Sequence, residues 1–263
     1  MSEATETAST HVNHGKIVFE GLRNARDLGG LPAADGRHIR PRALLRSDTL
    51  FPATEHDRAR LRDEYHLSLD IDLRSNDECA ERPDPVDAFP GLRYVHLPVF
   101  SEGGAGVSRS AEDMDVVEAR VRAGEIQPAD LMIALYPHIV LDQSGIDAYT
   151  TFFRELLAHE EGAAIWHCSA GKDRCGMASV LTEVALGVPW ELVERDYLAT
   201  NIFYGIDPKT CEPMEALEGV DPRFLAAAVD ALNREFGGIE RYLEDVLGVD
   251  ADAQATLRAR YLV

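Results

Sequence analysis

Ile165-Trp166-His167-Cys168-Ser169-Ala170-Gly171-Lys172-Asp173-Arg174-Cys175-Gly176 places a cysteine six residues before an arginine, with small residues, a lysine and an aspartate between them. On its N-terminal side Gly162 to His167 is short, mostly apolar and β-compatible. On its C-terminal side Met177 to Leu186 has helical spacing and stops at Gly187, with Pro189 beyond. The stretch therefore reads as a loop joining a buried strand to a helix N-terminus. Backbone N–H groups in such a loop turn inward, and the unpaired amides and dipole of the helix start add positive potential. Ser169, Ala170 and Gly171 are small enough for an anion to approach the backbone, and Arg174 can grip two oxygens of a phosphate through its planar fork.

A thiolate beneath a bound phosphate is a nucleophile in position, and Cys168 occupies that place. The pattern predicts in-line attack of sulfur on phosphorus, a phosphocysteine, and its hydrolysis by water. The backbone amides and Arg174 would hold the charge that spreads over the equatorial oxygens. Asp173 is the nearest candidate donor of a proton to the leaving oxygen, and Lys172 adds charge for an anionic substrate.

The same residues resemble the cysteine-dependent protein tyrosine phosphatase superfamily, in particular its bacterial tyrosine/lipid phosphatase branch with the signature His-Cys-x-x-Gly-Lys-Asp-Arg-[Ser/Thr]-Gly. The chain matches at His167, Cys168, Gly171, Lys172, Asp173, Arg174 and Gly176 and departs at Cys175. In the family a hydroxyl at that position hydrogen-bonds the nucleophilic sulfur and helps the phosphocysteine break down. A thiol donates more weakly, so the resemblance implies slower breakdown here; a small buried residue at a helix start is the plainer reading of Cys175. Leu22-Arg23-Asn24-Ala25-Arg26-Asp27-Leu28-Gly29-Gly30 and Leu45-Arg46-Ser47-Asp48 are similar to the N-terminal part of the same branch, and Asp196 to Asn201 to a later segment. Arg26, Asp27, Arg46 and Asp48 are expected either at the rim of the site or in a structural ion-pair network. Asp72-Leu73-Arg74-Ser75 ends a strand at the edge where open α/β sheets place their sites. In the branch this segment borders the pocket, which makes Asp72 a second candidate acid and Arg74 the residue to hold it, or the two a structural pair.

Composition narrows the partners. With 263 residues, 45% hydrophobic and 27% charged, the chain can bury a sizeable core without staples. A formal charge of −20 argues against nucleic acid or an anionic membrane surface as the main partner. Four cysteines form neither a disulfide framework nor a zinc pattern, and no secretory signal or membrane span is visible, so the cytoplasm is the expected location and no metal or cofactor is expected. Cys79, Cys175 or Cys211 are the candidates to resolve an oxidised Cys168.

Along the chain, residues 1–15 read as a disordered tail and 16–263 as one phosphatase-like domain. Ile17 to Phe19 suggests a short strand and Asp35-Gly36 a hairpin; Thr54 caps a helix to about Tyr65; Leu67 to Leu73 and Leu92 to Pro98 alternate as strands. About residues 101–130, with Gly103-Gly104-Ala105-Gly106 as a hinge and a helix from about Ala111 to Ala123, form a candidate helical lid or a fixed surface excursion. Helices follow over Leu131–Leu141, Ile146–Leu157, from Trp190 to about Thr200, from Pro222, over Ile239–Leu247 and from an Asp250 cap to Leu262. The expected fold is α/β, a central mostly parallel sheet flanked by helices. The expected activity is a metal-free phosphatase acting on a phosphorylated protein or a phosphoinositide. A phosphorylated metabolite, a phosphate-binding module without turnover, and a sulfur-transfer or arsenate-reducing enzyme are its rivals.

Overall fold

A computed structural model describes residues 13–100, 119–207, 210 and 217–263. Five strands, β1 (Arg26–Asp27), β2 (Leu44–Ser47), β3 (Leu67–Asp72), β4 (Arg93–His96) and β5 (Ala163–His167), form one sheet in the order β1-β2-β5-β3-β4. β2, β5, β3 and β4 are parallel, and only β1 runs antiparallel, against β2. The expected α/β class and mostly parallel sheet are therefore what the chain forms.

β5 sits in the centre because four of its five residues are apolar and all five are buried. Alternation along the strands sends Ala164 and Trp166 of β5, with Leu44, Leu69 and Ile71, into the larger core, and Ala163 and Ile165, with Leu45, into a smaller one closed by Phe19, Leu22, Leu61 and Phe89. A register shift between Leu67 and Leu69 divides those two leucines between the cores.

The helices are α1 (Glu55–Asp63), α2 (Asn76–Glu81), α3 (Pro128–Leu141), α4 (Gln143–Ala158), α5 (Arg174–Leu186), α6 (Trp190–Tyr204), α7 (Pro222–Phe236), α8 (Ile239–Arg241, passing into a π turn over Tyr242–Val246) and α9 (Ala251–Tyr261). Side-chain caps set several of their starts, those at Thr54 and Asp250 as read from the sequence. Thr54 closes a reciprocal capping box with Asp57, and Asp221 and Asp250 accept from backbone N–H groups of α7 and α9. Gly187 and Gly237 end α5 and α7 in the left-handed region. Trp166 of β5 donates its indole N–H to Ser179 Oγ of α5 at 2.9 Å, which ties the central strand to the helix that follows the loop.

The structure corrects one expectation, meets another and bounds a third. Ile17 to Phe19 form no strand; Ile17 takes one hydrogen bond from its N–H to Ala25 O, and its side chain and that of Phe19 pack into the smaller core. Asp35-Gly36 turn a short hairpin, as expected: Ala33 N donates to Arg37 O at 2.8 Å and Ile39 N to Leu31 O at 2.9 Å, Pro32 bridges His38, and the returning arm also pairs with the chain's other end, where Ile39 bridges Leu262 and His38 exchanges backbone hydrogen bonds with Val263. Residues 1–12 of the expected tail and 101–118 of the expected lid, with Cys211, lie outside the described residues; 13–15 form a turn whose Gly15 carbonyl accepts from Asp27 N. After the lid region, residues 119–122 are helical, Gly124 has φ +71°, and Pro128 starts α3.

Asp27 pins this N-terminal region. Its carboxylate accepts from Gly29 N at 2.8 Å and from Arg42 N at 2.7 Å, the latter held at φ 61°. Burial pushes its pKa up to about 6 in spite of those two donors. A carboxyl raised on folding stabilises the fold below its unfolded pKa and loses that contribution as pH rises through 6. The expected outcome is that the unfolding free energy of the wild type, relative to Asp27→Asn, falls by about 2 kcal/mol between pH 4 and pH 7, measured by urea denaturation.

Candidate active site

Strands β2, β5 and β3 run parallel and stop together at Ser47, His167 and Asp72, so the segments that follow them converge on one edge of the sheet. Between β5 and α5 the loop Cys168 to Asp173 turns through Gly171 at φ +64°. A Cβ there would lie 2.3 Å from Ser47 O, so only glycine fits.

The loop's carbonyls are held from outside. Thr49 N donates to Ser169 O at 3.3 Å, Tyr204 Oη to Ala170 O at 2.8 Å, and Arg46 Nη2 to Gly171 O at 2.9 Å. Asn24 Nδ2 donates to both Ala170 O and Gly171 O at 3.0 Å. In a planar trans peptide C=O and N–H point in opposite directions. Pinning the carbonyls of residues 169 to 171 outward thus turns the N–H groups of Ala170, Gly171 and Lys172 inward, the arrangement an oxyanion requires.

Beneath the loop lies a buried charge network. Asp196 of α6 takes Arg26 Nε at 2.9 Å and Arg46 Nη1 at 2.8 Å, and Arg26 Nη1 donates to Asn24 Oδ1 at 2.6 Å. Burial works against the charge of Asp196, but the two guanidiniums outweigh it and hold the carboxyl below its usual range. Glu183 of α5, equally buried, is pushed well above its usual range by burial and by Asp196. The expected network of Arg26, Asp27, Arg46 and Asp48 is therefore divided. The arginines share Asp196, while Asp27 and Asp48 accept backbone N–H groups, Asp48 from Arg23 and Asn24.

Cys168 is 2% exposed at the floor of the loop, and Arg174 begins α5 beside it. Arg174 is gripped end-on by Glu78 of α2, Nη1 to Oε2 at 2.5 Å and Nη2 to Oε1 at 2.9 Å, and Ser169 Oγ also donates to Glu78. Burial opposes the charge of Glu78, yet Arg174 and Ser169 hold its carboxyl far below the usual range. The Phe100 ring lies 5.5 Å from the Arg174 guanidinium. In the sequence Glu78 carries only a capping signal, which it also fulfils by accepting from Ser75 N.

The two candidate acids sit differently. Asp173 Oδ1 accepts from Lys172 Nζ and from Tyr136 Oη, both at 2.8 Å, and Tyr136 is itself bonded to Tyr197. Asp72 is fully buried, chelated by Arg74 and bonded by Tyr94 Oη and Cys79 Sγ. Burial opposes its charge, but His167 and Arg74 override it and keep the carboxyl ionised. Arg74 also reaches Thr49, Arg82 O and Asp84, so the pair buttresses the strand ends. Cys175 is buried, its thiol pushed up to about 11 by burial, and it donates to Trp166 O at 3.5 Å. His167 faces Asp70, Asp84 and Asp72 at 3.3, 3.1 and 3.8 Å. Among the described residues no helix is long and apolar enough to cross a membrane.

Asn24 is the position at which loop shape and the buried network meet. Asn24→Ala is expected to lower stability by about 2–4 kcal/mol, because two loop carbonyls and Arg26 lose a buried partner, read as a fall in urea midpoint at constant m.

Residues 17–263 match the model of the tyrosine phosphatase family. A protein of Cupriavidus necator named as a tyrosine-protein phosphatase is 32% identical over 279 aligned residues, covering 100% of this chain and 93% of that protein. A tyrosine-protein phosphatase of Nostoc commune is 26% identical over 248 residues, covering 87% of this chain and 77% of that one. The match over residues 17–263, which takes in the whole sheet and the loop after β5, places this chain in the tyrosine phosphatase family.

Proposed function

We propose that this phosphatase hydrolyses phosphotyrosine in proteins, with Cys168 as nucleophile, Arg174 and the amides of Ala170, Gly171 and Lys172 as the phosphate cradle, and Asp173 as general acid. The observation that carries the reading is the outward pinning of three successive loop carbonyls above Cys168. Cys168 Sγ attacks phosphorus as the ester oxygen departs; the phosphocysteine then gives up phosphate to water. An arriving dianion competes with Asp173 for Lys172, which loosens the hold on the carboxylate and favours its protonated form, ready to supply the leaving oxygen. Asp72, fixed as an anion by Arg74, is the weaker candidate for that duty.

The aromatic substrate is supported by two rings near the cradle, Phe100 against Arg174 and Tyr204 against Ala170, and by the depth of the sulfur, which a rod-shaped phosphotyrosine reaches more readily than phosphoserine. The charge of −20 and the absence of a membrane-crossing helix among the described residues accord with a cytoplasmic protein substrate. The match over 17–263 accords with a single domain from residue 16 onward.

The test is phosphate release, with chelator present, from phosphotyrosine and phosphoserine peptides, phosphoinositides, nucleotides and sugar phosphates. Phosphotyrosine peptides are expected to lead the panel, and Cys168→Ser to abolish release while still binding vanadate. Asp173→Asn is expected to slow poor leaving groups by about 10²–10⁴-fold and activated aryl phosphates far less. The same leaving-group dependence in Asp72→Asn, and none in Asp173→Asn, would move the acid to Asp72.

A further inference from the structure

Next to the loop, at the end of β5, three carboxylates gather around His167. Asp70 and Asp72 project from the same face of β3, and Asp84 is carried by the rigid Pro83-Asp84-Pro85 segment. Asp72 is taken up by Arg74, Tyr94 and Cys79, and Asp84 gives one oxygen to Arg74 at 2.7 Å. What remains is unusual. Asp70 is 1% exposed and neither of its oxygens has a hydrogen-bond partner; Asp84 Oδ1 and His167 Nε2 are likewise buried without one. His167 Nε2 lies 3.3 Å from Asp70 Oδ1 and 3.1 Å from Asp84 Oδ2, yet neither contact is aligned as a hydrogen bond.

The geometry points to a divalent transition-metal site formed by His167 Nε2 and the carboxylates of Asp70 and Asp84. The three donors lie within 4.8 Å of one another. With metal–ligand bonds of about 2.1 Å, donor separations of 3.1 and 3.3 Å subtend angles of roughly 95–105° at the ion, within the range that zinc and its neighbours accept. A ring nitrogen within 3.3 Å of two carboxylate oxygens, without an aligned hydrogen bond to either, leaves room for an ion among the three. Charge is compatible with the same place. Asp70, Asp72 and Asp84 stand against the single guanidinium of Arg74, and a dication beside a neutral imidazole closes the count, as an imidazolium together with a proton on Asp70 would in its absence. One nitrogen and two carboxylates select a borderline ion such as Zn²⁺, Co²⁺ or Mn²⁺. The ion takes no part in phosphoryl transfer. It ties β5, β3 and the Pro83–Pro85 segment together one residue before Cys168, so its role is to fix the strand end from which the nucleophile projects.

The experiment strips the full-length protein with dipicolinate and titrates it with Zn²⁺ and Co²⁺ at neutral pH. One equivalent is expected to bind, with visible d–d absorption for Co²⁺, no thiolate-to-cobalt charge transfer in the near ultraviolet, and a rise in Tm on loading. Asp70→Asn and Asp84→Asn should each weaken binding about tenfold or more, while Cys168→Ser and Cys79→Ser retain it. Should the Asn variants not fold, the spectrum of the wild type decides, since a charge-transfer band means sulfur ligation and overturns the site. Absence of binding at 100-fold excess of either metal, or binding lost in a cysteine variant and kept in Asp70→Asn, overturns it equally and leaves the cluster neutralised by protons.

Discussion

One aspartate, Asp196, sets the direction in which the proposed catalytic loop faces. It draws Arg26 and Arg46 together under the loop, and through them and Asn24 the carbonyls of Ala170 and Gly171 are held on the outer side. A loop of small residues has no stiffness of its own; its amides would otherwise seek water or each other. Two guanidiniums side by side in a dry interior repel, and the carboxylate between them makes the arrangement tolerable. Removing one partner of such a buried set typically costs about 3–5 kcal/mol, because the remaining charge keeps its desolvation penalty. The oxyanion cradle on top is thus as firm as the ion cluster below it.

The sheet supplies the other half of this firmness. β5 is buried on both faces and joined to α5 by the Trp166 to Ser179 hydrogen bond, so the two ends of the loop cannot drift apart. On the far side Asp72 and Arg74 knit the ends of β3 and of the segment after β2 into the same edge. Loop residues move only if one of these packed elements does, which confines motion at the site to side chains and to whatever covers the mouth.

Much of this architecture is legible in the chain because local signals and long-range packing agree. The apolar run into His167, the caps at Thr54, Asp221 and Asp250, and the stops at Gly187 and Gly237 each have a local cause that survives in the fold. Where the reading fails, a distant partner decides. Ile17 to Phe19 alternates like a strand but spends its side chains on the smaller core, whose other members reach as far along the chain as Ile165. In the site, Arg26 and Arg46 are visible as charged residues of an interior motif, but their shared partner is about 150 residues away. Glu78 stays hidden for a different reason. Its capping role accounts for it fully in one dimension, and its grip on Arg174 exists only in three.

That grip has a consequence for selectivity. With Glu78 seated on Arg174 and Ser169, the cradle at rest presents a compensated pair and no bare cation. An incoming anion gains only the margin by which it outbids a bidentate carboxylate that is already desolvated. Chloride, acetate or a lone acidic side chain has almost no such margin, whereas a dianion that also collects the amides of residues 170 to 172 does. Among competing carboxylates, the proposed site is thereby kept clear for a phosphorylated substrate by a carboxylate of its own.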